Sequence, residues 1–186
     1  MPVPFTDVVV KPDLVLPFRF GSLRPLAIND VHSGYVDGLN NPEVNSYLEI
    51  RHEHQTQASV EEFVNINNLS TDSLLLGIYL HEYPRHIGTI RLHTINQSLG
   101  HAHIGICIFD RLFWGKGIGS TAIKAVTSWA YSHLSITCIE AHAFLDNCAS
   151  IRLFEKAGFR RIDDGFKSLP AEVHPVQHAV LVYERA

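Results

Sequence analysis

The sequence holds no apolar run near the roughly 20 residues that a membrane-crossing helix needs, so no membrane partner is expected. The start of the chain lacks the basic flank and apolar core of a signal peptide. It has three cysteines, Cys107, Cys138 and Cys148, and no Cys-x-x-Cys pair. That excludes a disulfide framework and points to reduced thiols and a cytoplasmic location. Twelve histidines are many for 186 residues, but no Cys/His quartet accompanies them, so no metal site is expected. A basic excess is also missing. The net charge of −4 argues against nucleic acid as the main partner and suits cationic or neutral amines. No internal repeat and no low-complexity tract is present.

What is present is the composition of a soluble globular protein, 46% hydrophobic and 18% charged. The length fits one domain over residues 1–186 with a substantial core. Residues 1–21, with four prolines and no clean period, form an N-terminal leader segment, either a strand packed along the body or a partly disordered stretch. After it the pattern predicts a strand over 22–26, a helix over 31–39 capped at Asn29-Asp30, and a short helix led by Pro42. A helix over 59–67 follows, with Ser59-x-x-Glu62 as its capping box. Strands follow over 73–80, 87–95 and 102–109, with Gly88 as a bulge. Beyond a long helix come a strand over 136–144, a helix over 147–157, and strands over 159–162 and 176–183. The alternation predicts an α/β fold: a three-layer mixed sheet of about seven strands with helices on both faces.

The most informative stretch is Phe109-Asp-Arg-Leu-Phe-Trp-Gly-Lys-Gly-Ile-Gly-Ser120. It joins a strand-like run to a helical pattern of Ala122, Ile123, Ala125, Val126, Trp129, Ala130 and Leu134. Gly115, Gly117 and Gly119 let backbone approach a ligand, and the amides that follow point out of a helix N-terminus. Such a loop binds phosphate or pyrophosphate. A Walker loop is excluded, because Lys116 lies between glycines. A Rossmann loop stays open: Ala122 takes its third small position and Glu140 lies about 20 residues on. A purely structural turn also stays open.

A second segment narrows the choice. Asp146-Asn147-Cys148-Ala149-Ser150 leads into a helix that ends Lys156-Ala-Gly158-Phe159. Together, Trp114-Gly-Lys-Gly117-Ile-Gly119 and Asn147 to Phe159 resemble the two signatures of the GNAT superfamily of acyl-CoA-dependent N-acetyltransferases. The aromatic at Trp114 resembles the branch with the ribosomal-protein N-terminal acetyltransferases. The resemblance implies acetyl-CoA as cofactor and the GNAT acyltransferase fold. It implies a pyrophosphate held by Trp114, Gly115, Lys116, Gly117, Ile118, Gly119 and Ser120. The pantetheine arm would run along Ile106, Cys107, Ile108 and Phe109, with Asn147, Ser150 and Phe154 beside it. Asn147 also suits a helix cap.

Acetyl transfer to an amine needs a group to take the amine proton. His103 shares a face of its strand with Gly105, Cys107 and Phe109. It stands where many family members carry a carboxylate, and an imidazole suits proton transfer near neutrality. His101 is a weaker candidate, and His142 on the next strand suits substrate contact. Phe154 stands where the family often has a proton-donating tyrosine, and Cys148 lies too near its helix start for a convincing nucleophile. The substrate side is expected from residues 35–57, with Tyr35, Tyr47 and Glu49. The expected partner is a small amine, such as an amino sugar or polyamine, or a peptide N-terminus. A homodimer is left open. The alternative is a catalytically weak CoA-binding regulatory module, motivated by Phe154.

Overall fold

A computed structural model describes residues 13–167 and 176–184. Eight strands among them form one sheet. In chain order they are β1 (Leu16–Phe18), β2 (Gly21–Pro25), β3 (Leu74–Leu80), β4 (His86–Asn96), β5 (His101–Ile108), β6 (Cys138–Phe144), β7 (Arg160–Lys167) and β8 (Val176–Glu184). The helices are α1 (Ser33–Asn40), α2 (Pro42–Asn45), α3 (Gln57–Leu69), α4 (Ile118–His133) and α5 (Cys148–Ala157), with 3-10 turns at Ile28–Asp30 and Arg111–Phe113. The sheet order is β1-β2-β3-β4-β5-β6-β8-β7. Its described neighbours are antiparallel except β5 and β6, which are parallel and joined through α4.

The sheet divides two cores. Leu74, Leu76 and Ile78 point to one, with Ile104, Ile123, Val126, Ile151 and Phe154. Leu75 and Tyr79 point to the other, with Tyr35, Leu39, Val60 and Val64. Burial on both faces explains why β3 reads as an unbroken apolar run rather than an alternating one. The long apolar stripe of α4, from Ile118 and Ala122 to Val126 and Ala130, lies against the first core.

The expected mixed α/β sheet is found, with corrections. The eighth strand is Leu16–Phe18, which hairpins onto β2 from within the leader segment. Residues 1–12 of that segment, and most of the loop expected before β8, lie outside the described residues. The first helix starts two residues later than expected. Asp30 instead closes a 3-10 turn by accepting from the Ala27 amide at 2.9 Å, and His32 caps α1. Helix α3 begins at Gln57 because Thr56 and Ser59 cap each other reciprocally, at 3.1 and 2.9 Å. The capping box is therefore Thr56 with Ser59, one turn ahead of Ser59 with Glu62.

Gly88 does sit at an irregularity. Ile78 pairs with Gly88 and Tyr79 with His86, so Ile87 is the extra residue. A Cβ on Gly88 would lie 2.5 Å from the Cys107 carbonyl oxygen and 2.9 Å from Ile108 Cα. The glycine thus lets β4 approach β5 at the strand end that borders the glycine loop. Gly88→Ala should cost about 1–3 kcal/mol, as overpacking does. Thermal unfolding checks it: a melting temperature equal to wild type would mean that the two strands part there without strain.

Candidate active site

The site originates in a failure of strand pairing. β5 and β6 pair only at His101↔Cys138, Ala102↔Ile139 and His103↔Glu140. β5 continues to Ile108, held by β4 on its other side, and β6 continues to Phe144, held by β8. The strands therefore splay after the His103–Glu140 rung, and a cavity of about 830 Å³ runs through the wedge. Trp114 bonds one of the backbone groups left at the open edge: its indole nitrogen donates to the Ile108 carbonyl at 2.7 Å. Alternation along the strand aims the backbone of Ile106 and Ile104 at the same edge.

The glycine loop closes one end. Gly115 and Gly117 hold φ of 72° and 76°, in the left-handed region, and a Cβ on either would meet nothing within 4 Å. The loop is thus shaped by glycine but not crowded by protein, and the space over it is open. Gly117 is the N-cap of α4, and no side chain caps that helix, so its first-turn amides face the cavity unaided. This cradle fits a pyrophosphate. Gly119 serves differently: its bare Cα lets α4 close on α5, where a Cβ would lie 2.7 Å from Leu153 Cδ1.

At the vertex of the wedge, Glu140 gathers three imidazoles. His142 Nε2 hydrogen-bonds Glu140 Oε1. His103 Nδ1 lies 3.8 Å from the same oxygen, and His101 Nε2 lies 3.7 Å from the other. Partial burial pushes the Glu140 carboxyl up, but the His142 hydrogen bond and the charges of His142, His103 and His101 outweigh it, so the net shift is down. His93, from β4, stacks on His103 with ring centroids 5.6 Å apart. On the far wall Tyr47 leans on Phe144 at 5.8 Å, and Phe144 meets His178 at 4.4 Å and the Arg51 guanidinium at 4.6 Å.

The cavity brings together nearly all the residues singled out from sequence. His103, Ile106, Cys107, Ile108, Trp114, Gly115, Gly117, Ile118, Gly119 and Ser120 line it, as do Asn147, Ser150, Phe154, Tyr35, Tyr47, Glu49 and His142. Two do not. Phe109 is buried and stacks on Tyr35, 4.7 Å away, inside the second core. Lys116 turns its ammonium over the Phe113 ring at 5.3 Å. Tyr35 itself is 2% exposed, so it supports the cavity floor rather than reaching into it. Burial pushes the Cys107 thiol up to about 12, which rules out a thiolate there near neutrality. Glu140 stood in the sequence only as a candidate dinucleotide acid. Arg91, which also lines the cavity, and His93, Phe144 and His178 were not singled out, because their placement depends on strand register.

Residues 22–160 match the family profile of the Acetyltransferase (GNAT) domain. The chain belongs to the GNAT acetyltransferase family. A curated relative, the uncharacterized N-acetyltransferase YoaA of Bacillus subtilis (strain 168), is 38% identical over 85 residues, 46% of this chain and 48% of that protein. The chain thus matches about half the length of such relatives. Among solved structures, a spermidine N-acetyltransferase from Vibrio cholerae in complex with CoA and spermine has a TM-score of 0.75 at 20% identity, over 87% of this chain and 94% of that one. RimL, a ribosomal L7/L12 alpha-N-protein acetyltransferase in complex with coenzyme A, has a TM-score of 0.76 at 19% identity, over 90% and 97%. Both likenesses establish the GNAT fold, and the Rossmann reading of the glycine loop falls with them.

Helix α5 shows how this GNAT chain builds its second signature. Asn147 Oδ1 accepts from the Ser150 amide at 3.1 Å, so the asparagine caps the helix. Ile151, Phe154 and Ala157 turn inward, and Phe154 is 2% exposed against Phe159. Phe154 is therefore core and cavity floor at once. Asn147→Ala should cost roughly 0.5–2 kcal/mol, and Asn147→Asp should restore most of it. Melting temperatures of the two variants decide this; an alanine variant as stable as wild type would remove the capping role.

Proposed function

We propose that this protein is an acetyl-CoA-dependent N-acetyltransferase that acetylates a primary amine by direct transfer. One observation carries the reading: a single cavity joins an open glycine cradle, an unpaired strand edge and a carboxylate-held histidine cluster. Acetyl-CoA supplies the activated acetyl thioester. Gly115, Gly117 and the amides at the start of α4 would hold its pyrophosphate, and the open edge at Ile106 and Ile108 its amide arm.

His103 takes the proton of the attacking amine. Glu140, 3.8 Å from its Nδ1, stabilises the imidazolium that results. His142, hydrogen-bonded to the same carboxylate, keeps Glu140 oriented toward the wedge and meets the acceptor. Phe154 has no proton to donate, so water serves the departing thiolate; a thiol of pKa roughly 8.5 leaves without strong acid help. Glu49 and Tyr47 favour a cationic acceptor with an apolar body, a polyamine or amino sugar, and a protein N-terminus is the other form of that chemistry. The neighbours that bind spermine and act on a ribosomal protein support both forms as starting points.

The test is a panel of amines with acetyl-CoA and a thiol-release readout. Turnover of any member is expected, and its absence across polyamines, amino sugars and peptide N-termini favours the regulatory CoA-binding module instead. With a verified amine, His103→Ala should lower kcat by ~10²–10⁴ and leave the affinity for CoA near wild type. A variant that turns over at the wild-type rate would return His103 to a supporting residue of the strand. Gly117→Ala adds a methyl group at φ 76°, where an L side chain costs roughly 1–2 kcal/mol, and intrudes on the cradle. Calorimetry should show CoA affinity reduced by at least an order of magnitude, about 1.4 kcal/mol. Undiminished affinity in the folded variant would place the pyrophosphate elsewhere.

A further inference from the structure

We propose that His103, Glu140 and His142 form a divalent transition-metal site, suited to Zn²⁺, and that metal bound there inhibits the enzyme. The binding stands on the donor set alone. The inhibition rests on the acetyl-transfer reading.

One ring nitrogen each of His103 and His142 and one Glu140 carboxylate oxygen all lie within 4.8 Å of one another, and Glu140 Oε1 is approached by His103 Nδ1, at 3.8 Å, and by His142 Nε2. Zn²⁺ with ligand bonds of about 2.0–2.1 Å sets tetrahedral donors ~3.3 Å apart, so each donor needs to move by less than ~1 Å. The shift asks only for side-chain rotation. The backbone that carries the donors is fixed: His103 and Glu140 are partners on the last shared rung, and His142 is paired with Val180 of β8. Two imidazoles and one carboxylate are the protein ligands of a zinc centre that keeps a fourth position for water or substrate. All three donors line the cavity, so that position opens into it. Imidazole donors favour Zn²⁺, Ni²⁺ and Cu²⁺ over Mg²⁺ and Ca²⁺, which prefer oxygen. His101 Nε2, 3.7 Å from the second Glu140 oxygen, is placed to hold the carboxylate from behind, as outer partners of metal ligands do.

The inhibition follows from the shared atoms. A neutral His103 ring coordinated through one nitrogen carries its proton on the other, so it has no lone pair left to take the amine's, and a coordinated Glu140 no longer faces an imidazolium. The metal also occupies the vertex where the amine would stand.

The experiment uses the full chain after chelator treatment, without acetyl-CoA. Zn²⁺ titration by calorimetry should show one saturable site. Co²⁺ should bind with the intense visible absorption of a four-coordinate ion. Glu140→Gln and His142→Ala should each weaken Zn²⁺ binding by at least about tenfold, the lower end of what loss of even an outer-shell partner costs. His54→Ala, on an exposed loop, should bind like wild type. Circular dichroism establishes that each variant is folded. No saturable binding by the folded wild type overturns the site. Equal affinity in wild type and in both cluster variants overturns it too, because the ion then sits elsewhere. With a turned-over amine, filling the site should cut acetylation, followed by chromatography of the acetylated amine, by at least about tenfold, and a chelator should restore it. Full activity with the site filled overturns the inhibition and leaves the binding. If no amine is turned over, the acetyl-transfer reading fails and the calorimetry still decides the site.

Discussion

Two neighbouring parallel strands that stop pairing after three rungs set the terms for the rest of this molecule. Backbone N–H and C=O groups removed from a partner must find another one. β5 and β6 leave such groups along Ile104–Ile108 and Ala141–Phe144, and each strand can afford this because its outer edge is fully paired, with β4 and with β8. The long helix α4 that links them is packed across one face through Ile118, Ala122 and Val126. The opening is therefore rigid rather than frayed. Apart from the Ile108 carbonyl, which Trp114 holds, it presents backbone hydrogen-bonding groups to any extended chain of amides, the same physics by which sheet edges capture peptides.

The charge at the vertex obeys a second constraint. One carboxylate, partly withdrawn from water, is held as an anion by the imidazoles around it. Withdrawing any one of them shifts the balance for the others, so His101, His103 and His142 act as a unit and their substitutions should not add. The deeper titratable groups take no part in this. Tyr35 and Cys107 both ionise with more difficulty than usual because of burial, and they form a neutral floor beneath the cluster. In the proposed acetyl transfer, proton traffic near neutrality is thereby confined to the upper rim, where solvent can reach it.

The parts legible in the sequence were those whose physics is local. The glycine cradle lies in a few consecutive residues, the stripe of α4 repeats on one helix, and the Asn147 cap spans a single turn. β3 was visible as a strand because an apolar run that short has few other uses. The role of Glu140 was not legible, because parity on β6 says which residues share a face but not which residue of β5 lies opposite. His93 and His178 depend on two further registers. The Thr56 cap was misplaced by one turn because Ser59 matches a capping signature from either side, and only the partner it meets decides. A leader strand could be suspected in residues 1–21 but not placed, because Leu16-Pro-Phe18 is too short to show a period.

The bond from Trp114 to the Ile108 carbonyl has an optical consequence. The chain holds two tryptophans, and they occupy very different sites. Trp129 is stacked on His133 along α4, with rings 17° from parallel, remote from the glycine loop. Trp114 is 43% exposed at the lip of the wedge, tied to the strand edge proposed to take the cofactor's arm. Its emission depends on the solvent and dipoles around the indole, so the molecule carries its own fluorophore at the doorway, with a second, distant one as internal reference.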